Sequence, residues 1–547
     1  MLHVNHEGLA MNTLIKNATI IDGTASPRFS GSILIQDDLI SGIFKSDVEE
    51  QNAVKNISIE KTIDAKNLIL APGFIDTHSH SDLQVLSKPN LLPKLCQGIT
   101  TEILGQDGIS MAPLPIEFID TWKKNLAGLD GVDESIDWTY RTTDSYLNMI
   151  EKAKPALNEA YLLPHGNVRM EAMGLENRIA NPQEIKKMCE IVERDMNSGC
   201  IGMSSGLIYI PCAYGETDEL IEMCKIVKEH DGVFVVHQRS EADTILPSMD
   251  EIIRIGRESK VSIHFSHFKI CGKKNWKYLP QVIKKINEAV AEGLSVSFDQ
   301  YPYIAGSTML GVILPPWVHS GGTDMAVERL KNLEIREKII KDIKTGISGW
   351  DNFVEFAGTD GIYITSVNLE KNKKYIGKSL DEISELLGKT PLDAAMDLLI
   401  EENNAVGMVD FYGNEEHVKM LMNLPQMNLC TDGLLSGKPH PRVYGAFPRF
   451  LGKYVRDEKI LSLEAAVRKV SGMAADSMKI KNRGYIKQGY KADIVIFDEE
   501  TICDKGTFSA PEQFPQGIIT VLVNGKVALD KGIATGIRNG SVIRKKQ

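Results

Sequence analysis

The stretch Gly73-Phe74-Ile75-Asp76-Thr77-His78-Ser79-His80 ends an apolar run in two histidines spaced two residues apart. On a strand such residues share a face. His78 and His80 can therefore aim both imidazoles at one point, which suits Zn²⁺ or a similar borderline cation. Alone, the pair is as readily structural. Three further strand-like runs close on groups able to bind a metal: 233–237 ends in His237, 261–267 in His267 and 428–432 in Asp432. Within 261–267 two histidines compete, because His264 and His267 face opposite sides of an ideal strand. The strand-end position favours His267 and leaves His264 to packing. A carboxylate such as Asp432 beside an activated water can take its proton and return it to a leaving nitrogen, although Asp432-Gly433 by itself reads as a turn. Together the four strand ends point to a metal-dependent hydrolase.

Such groups, far apart in sequence, need a scaffold that gathers strand ends. The middle of the chain alternates strand-like stretches (73–78, 101–104, 201–204, 233–237, 261–267, 294–298) with amphipathic helical runs such as 219–229 and 281–292. That rhythm favours a parallel sheet, open or closed into a barrel. In a barrel, chemistry collects at the carboxyl ends of the strands, where the clusters above fall. Short strands with turn signals occupy both ends of the chain: 14–21 before Asp22-Gly23, then 32–35 and 39–44, and later 492–497 and 520–523 before Asn524-Gly525. The expectation is an α/β protein: a (β/α)8 TIM-type barrel over 73–479, with one small β-sandwich domain built from 1–72 and 480–547. Charged helical pieces such as 326–344 break the rhythm over about 315–400, which reads as an inserted subdomain, either a lid or an elaborated connection.

Composition narrows the partners. The 547 residues are 43% hydrophobic and 25% charged with a formal net charge of -11, as in a globular protein without the Lys and Arg excess that neutralises phosphates. A nucleic-acid partner is not expected, and Arg544-Lys545-Lys546 reads as a solvated tail. Apolar runs such as 68–75 are strand-length, well short of the roughly 20 residues of a membrane-spanning helix. Residues 1–10 lack an apolar core, so no secretory signal is expected, and Met11 offers an alternative start. The eight cysteines form no Cys-x-x-Cys pair, which favours reduced thiols and a cytoplasmic location.

The order His-x-His, His, His, Asp resembles the amidohydrolase superfamily, and more narrowly its N-acyl-D-amino-acid deacylases (D-aminoacylases). The likeness runs through nearly the whole chain: residues 73–80, Gln97-Gly98-Ile99-Thr100-Thr101, the run 202–209, His237-Gln238-Arg239-Ser240-Glu241, Ser266-His267-Phe268-Lys269 and Asp299-Gln300-Tyr301-Pro302-Tyr303. Its most specific part is 440–449, His-Pro-Arg-Val-Tyr-Gly-Ala-Phe-Pro-Arg, followed by Arg483-Gly484 and Gly489-Tyr490-Lys491-Ala492-Asp493. One position departs. These deacylases carry a metal-binding cysteine in a Gly-Asn-Cys-Gly stretch, whereas this chain reads Gly105-Gln106-Asp107-Gly108; Cys96 lies upstream and is not taken as its substitute.

The resemblance implies hydrolysis of N-acyl-D-amino acids, small-molecule substrates, with one or two Zn²⁺ ions. Asp107, His237 and His267 would hold one metal, and His78 and His80 with Asp432 the other. A carboxylate at 107 is harder than a thiolate and opens the site to Mn²⁺, Co²⁺ or Fe²⁺. The resemblance further implies that Asp432 is the general base and then acid, that Arg442 grips the α-carboxylate, and that Lys269 and Tyr301 orient it or the amide. Arg239 and Glu241 read as an ion pair supporting the ligand loop. The alternatives are a cyclic-amide hydrolase, which would need a carboxylated lysine at a strand end, and a non-catalytic scaffold.

Overall fold

The computed structural model describes residues 12–545; the expectations for residues 1–11 lie outside them. Eight parallel strands follow one another around a barrel: Phe74–Asp76, Ile99–Leu104, Asn158–Pro164, Gly202–Gly206, Val233–His237, Ser262–Phe265, Val296–Gln300 and Met427–Leu429. Most are buried along their whole length, as Val233–His237 is, because one face fills the barrel and the other meets helices. The covering helices explain their own sequence pattern. Thr217–Glu229 buries Leu220, Ile221, Met223, Cys224 and Val227 as one stripe. Pro182–Asn197 starts at Asn181, whose side chain accepts from the Gln183 and Glu184 amides, with proline in the first turn.

The two ends of the barrel sheet meet at its mouth. Ser79–His80 pairs in parallel with Gly433–Leu434, and the Asp432 amide donates to the His78 carbonyl at 2.9 Å. The seam that closes the barrel thus carries three of the predicted site residues.

Strands from both termini form one continuous nine-stranded sheet, joined where Ile69–Pro72 pairs with Ile494–Phe497. It was expected as a sandwich. The pairing path is unbroken, yet Ile15, Ile20, Ile33 and Ile35 from one end share a core with Ile494, Ile496 and Leu522 from the other. The alternate residues Val495, Phe497, Val521 and Val523 belong to the main core of the barrel, so the period of two splits this sheet between two cores.

The irregular stretch around 315–400 is framed more widely than its composition suggests. Ala305–Met309, Gly407–Phe411 and Ile362–Ser366 make a separate antiparallel sheet, over a core that includes Leu310, Ile339, Ile364, Leu399 and Met408. The framing strands extend the unit because they pair with each other. The basic tail is not simply solvated: Arg544 pairs with Asp144 and Glu151, and the Lys545 amide donates to the Gly199 carbonyl. No helix among the described residues is long and apolar enough to cross a membrane, and all eight cysteines are unpaired.

Candidate metal centre

The six predicted ligands converge at the carboxyl end of the barrel. His78, His80, Asp107, His237, His267 and Asp432 are all buried. Asp107 sits at the hub: its Oδ1 lies 3.6 Å from His78 Nε2 and 3.6 Å from His267 Nε2, and its Oδ2 3.5 Å from His80 Nε2. Asp432 Oδ1 is 3.4 Å from His80 Nε2 and 3.8 Å from His78 Nε2. These separations are long for hydrogen bonds. They match the roughly 3.4 Å between two donors that share one tetrahedral ion with bonds of about 2.1 Å. Both ring nitrogens of His78, Asp107 Oδ1, His237 Nε2 and Glu241 Oε1 are buried without a hydrogen-bond partner among the described residues, a state that a bound cation resolves. The residues fit a metal, and three groups of them could hold one: His78, His80 and Asp432; His78, Asp107 and His267; and His237, Glu241 and His267.

Backbone conformation explains why alternation alone did not place these groups. Asp107, His267 and Asp432 all have left-handed φ, at 53°, 33° and 48°. For histidine this region is costly, and such outliers gather where function fixes a side chain. Asp299 holds the His267 turn, accepting from the His267 amide, from Thr77 Oγ1 at 3.0 Å and from His264 Nε2 at 2.9 Å. His264 thus packs behind the site, as its parity requires.

The electrostatics favour a cation at this point. Burial works against ionising Asp107, yet His78, His267 and His80 hold it well below the usual carboxylate range. Burial likewise opposes Asp432, and Arg442 with His80 keeps it ionised. Burial would lower His80, but Asp107 and Asp432 push it up to about 10. His237 is driven down to about 3, chiefly by burial. Metal binding to such a site displaces the protons that the carboxylates hold on the imidazoles.

Three residues depart from their expected surroundings. Arg239 pairs with Glu251 at 2.9 Å, not with Glu241. Glu241 instead reaches Lys269 Nζ at 2.7 Å and lies 3.4 Å from His267 Nδ1, which makes it a ligand candidate that the sequence reading missed. Its signal was present: Glu241 follows a strand-end histidine by four residues. Arg442, expected to grip substrate, is fully buried with Nη1 2.9 Å from Asp432 Oδ2 and its guanidinium 4.4 Å from the Tyr301 ring centroid. Neither its Nε nor its Nη1 has a hydrogen-bond partner among the described residues. Lys269 and Tyr301 line the cavity directly, together with His80, Asp107, His237, His267 and Asp432.

Beneath the seam, Lys94 is fully buried, its Nζ 2.8 Å from Asp76, 2.7 Å from Glu102, 2.7 Å from Ser79 Oγ and 2.9 Å from Thr431 Oγ1. So engaged, it braces the strands that carry His78, His80 and Asp432 and does not bridge the ligand cluster. The site cavity adjoins a larger, more apolar one and shares Tyr209, Asp351 and Phe353 with it.

Residues 61–292 and 371–529 match the model of the amidohydrolase family. A D-aminoacylase of Alcaligenes xylosoxydans xylosoxydans is 31% identical over 533 residues, covering 97% of each chain. An N-acyl-D-aspartate deacylase of the same organism is also 31% identical, over 97% of this chain and 94% of the relative. The solved N-acyl-D-glutamate deacylase of Bordetella bronchiseptica, complexed with zinc and a phosphonate mimic of the tetrahedral intermediate, superposes with a TM-score of 0.82 at 28% identity, covering 98% of this chain and 99% of that one. With its metal-competent residues gathered at the barrel mouth and this likeness along nearly its full length, the chain belongs to the amidohydrolase family, among the N-acyl-D-amino-acid deacylases.

Proposed function

We propose that this protein hydrolyses the amide bond of N-acyl-D-amino acids, releasing a carboxylate and a free D-amino acid. The observation that carries this reading is the buried cluster around Asp107, whose unpartnered imidazole and carboxylate atoms lie at ligand spacing beside Asp432. The D-configuration rests on the relatives named above.

His78, His80, Asp107, His237, His267 and Asp432 would hold one or two divalent ions, Zn²⁺ foremost, with Glu241 a further donor. A bound cation supplies Lewis-acid polarisation of the acyl carbonyl and lowers the pKa of water. The chain supplies the rest. Asp432 Oδ1 accepts the proton of the attacking water and returns it to the leaving nitrogen. Arg442 keeps Asp432 ionised, as a base requires. Lys269 and Tyr301, on the cavity wall, meet the α-carboxylate, and Arg442, over the Tyr301 ring, adds its charge to that recognition.

The test is a deacylation screen of N-acetyl-D- and L-amino acids after chelation and reconstitution with single metals. Activity is expected on D-substrates, lost on chelation and regained with Zn²⁺ or Co²⁺. Turnover confined to L-substrates or cyclic amides would overturn the reading.

The carboxylate at 107 yields a second expectation. Asp107→Cys restores the thiolate found in the family and should shift the retained metal towards Zn²⁺ over Mn²⁺ by roughly tenfold or more in competition, because thiolate is the softer donor. Metal analysis of protein dialysed against an equal mixture reads this directly. An unchanged ratio would place Asp107 outside the coordination sphere.

A further inference from the structure

We propose that Asp410 is the residue that selects the substrate's side chain, and that it receives a cationic terminus, an ammonium or guanidinium. The proposal rests on the deacylase reading and deepens it.

Asp410 lies in the middle strand of the inserted sheet, Gly407–Phe411, opposite Gly306 on one side and Ile362 on the other. A backbone paired on both sides leaves this carboxylate no local duty of capping or turn formation. The residue is 1% exposed, and its Oδ2 has no hydrogen-bond partner among the described residues. It nevertheless lines the cavity that holds the ligand cluster. Across from it, Gly306 keeps the approach open: a Cβ there would come within 3.2 Å of Asp410 Oδ1 and 2.8 Å of the Tyr412 ring. A buried carboxylate oxygen without a partner is unfavourable unless something binds it, and Asp410 belongs to the wall of the cavity where substrate must sit.

The charges around it set the sign of the partner. Asp351, also on the cavity wall, accepts from Ser240 Oγ at 2.6 Å and from the Glu241 amide at 2.7 Å. Lys269, which lines the same cavity, is tied to Glu241 at 2.7 Å and is committed to the α-carboxylate, as His80 is to the ligand cluster. An acidic side chain would therefore meet two carboxylates and no free cation, whereas an ammonium would satisfy Asp410. Burial lifts the Asp410 carboxyl to about 7 against the pull of Lys269 and Arg442, and a cation bound beside it would favour its ionised form. Asp410 belongs to none of the ligand groups, so its role is separable from metal binding. The chain would then differ in preference from its relatives named for D-aspartate and D-glutamate substrates.

The experiment compares kcat/KM for N-acetyl-D-lysine, -D-glutamine, -D-leucine and -D-glutamate in the reconstituted wild type and in Asp410→Asn. In the wild type, D-lysine is expected to exceed D-glutamate by roughly 100-fold, with the neutral substrates between, as opposite and like charges at a desolvated carboxylate require. In Asp410→Asn the lysine-to-leucine ratio should fall by about tenfold, mainly through KM, since a binding contact is lost. Thermal stabilisation by N-acetyl-D-lysine should shrink in the same variant. A wild type that prefers D-glutamate, or a variant in which every substrate falls in parallel, overturns the assignment while leaving the deacylase reading intact. No turnover of any D-substrate defeats that reading and this inference with it.

Discussion

Asp432→Asn should fold normally and lose nearly all turnover. The amide is isosteric with the carboxylate and keeps a polar atom beside Arg442 Nη1, which lies 2.9 Å from Asp432 Oδ2. What it cannot do is take a proton from water at Oδ1, the atom 3.4 Å from His80 Nε2. A positioned general base and acid contributes about 10²- to 10⁴-fold, and the same group is asked here to serve in both steps. The expected result is a kcat reduced by at least about 10³-fold, with circular dichroism close to wild type and a thermal midpoint lowered by the loss of the buried Arg442–Asp432 pair. Near-normal turnover in a folded variant would remove Asp432 from proton transfer and leave it a structural neighbour of the ligands.

The second large effect is one of stability and falls on Lys94. Its ammonium is fully buried and held by Asp76, Glu102, Ser79 and Thr431. Lys94→Met keeps the side-chain length and strands Asp76 and Glu102 without their cation. Breaking a buried pair by removing one partner costs about 3–5 kcal/mol, measurable as a lowered urea midpoint. The damage should reach the metal site as well. Asp76 also accepts from the Thr431 amide at 2.8 Å and from Thr431 Oγ1 at 2.6 Å, one residue before Asp432. Weakened metal retention should therefore accompany the lost stability, and restoring the balance with Asp76→Asn in the same chain should recover part of it. A Lys94→Met protein as stable as wild type would mean that the cluster is neutral at working pH.

How much of this was legible in the sequence depends on where each residue sits. His78, His80 and His237 announce themselves because an apolar run ends on each, and the fold places the ends of such runs at one mouth. The barrel was legible for the same reason, since strand and helix periods alternate plainly from 73 to 300. Glu241 and Asp299 were not legible as site residues. Glu241 lies in a loop, where no period says which way a side chain points, and Arg239 beside it supplied a plausible partner that the fold gives to Glu251. Asp299 acts through the His267 backbone, a contact that no spacing encodes. Arg442 stood out by its setting in 440–449, yet its burial against Asp432 depends on how the helix Arg442–Arg449 meets Gly433–Leu434 at the seam. Lys94 was invisible because a lysine in a short helical stretch ordinarily faces water. Only the converging carboxylates of Asp76 and Glu102, from two different strands, make its burial tolerable.

The sheet shared by the two termini has a consequence for biosynthesis. Ile69–Pro72 pairs with Ile494–Phe497, partners separated by about 420 residues of chain, so their contact must close a very long loop. On the ribosome the early strands can pair with one another, but the apolar edge of Ile69–Pro72 waits for Ile494–Phe497, and an edge of that kind invites chaperones and proteases. Barrel strands, by contrast, meet successive neighbours as they appear. The strand that leads into His78 continues directly from Ile69–Pro72, and Asp432 is itself made late. Translation therefore reaches a competent catalyst only near its end, and a prematurely terminated chain is marked for removal by the same unpaired edge that would have completed it.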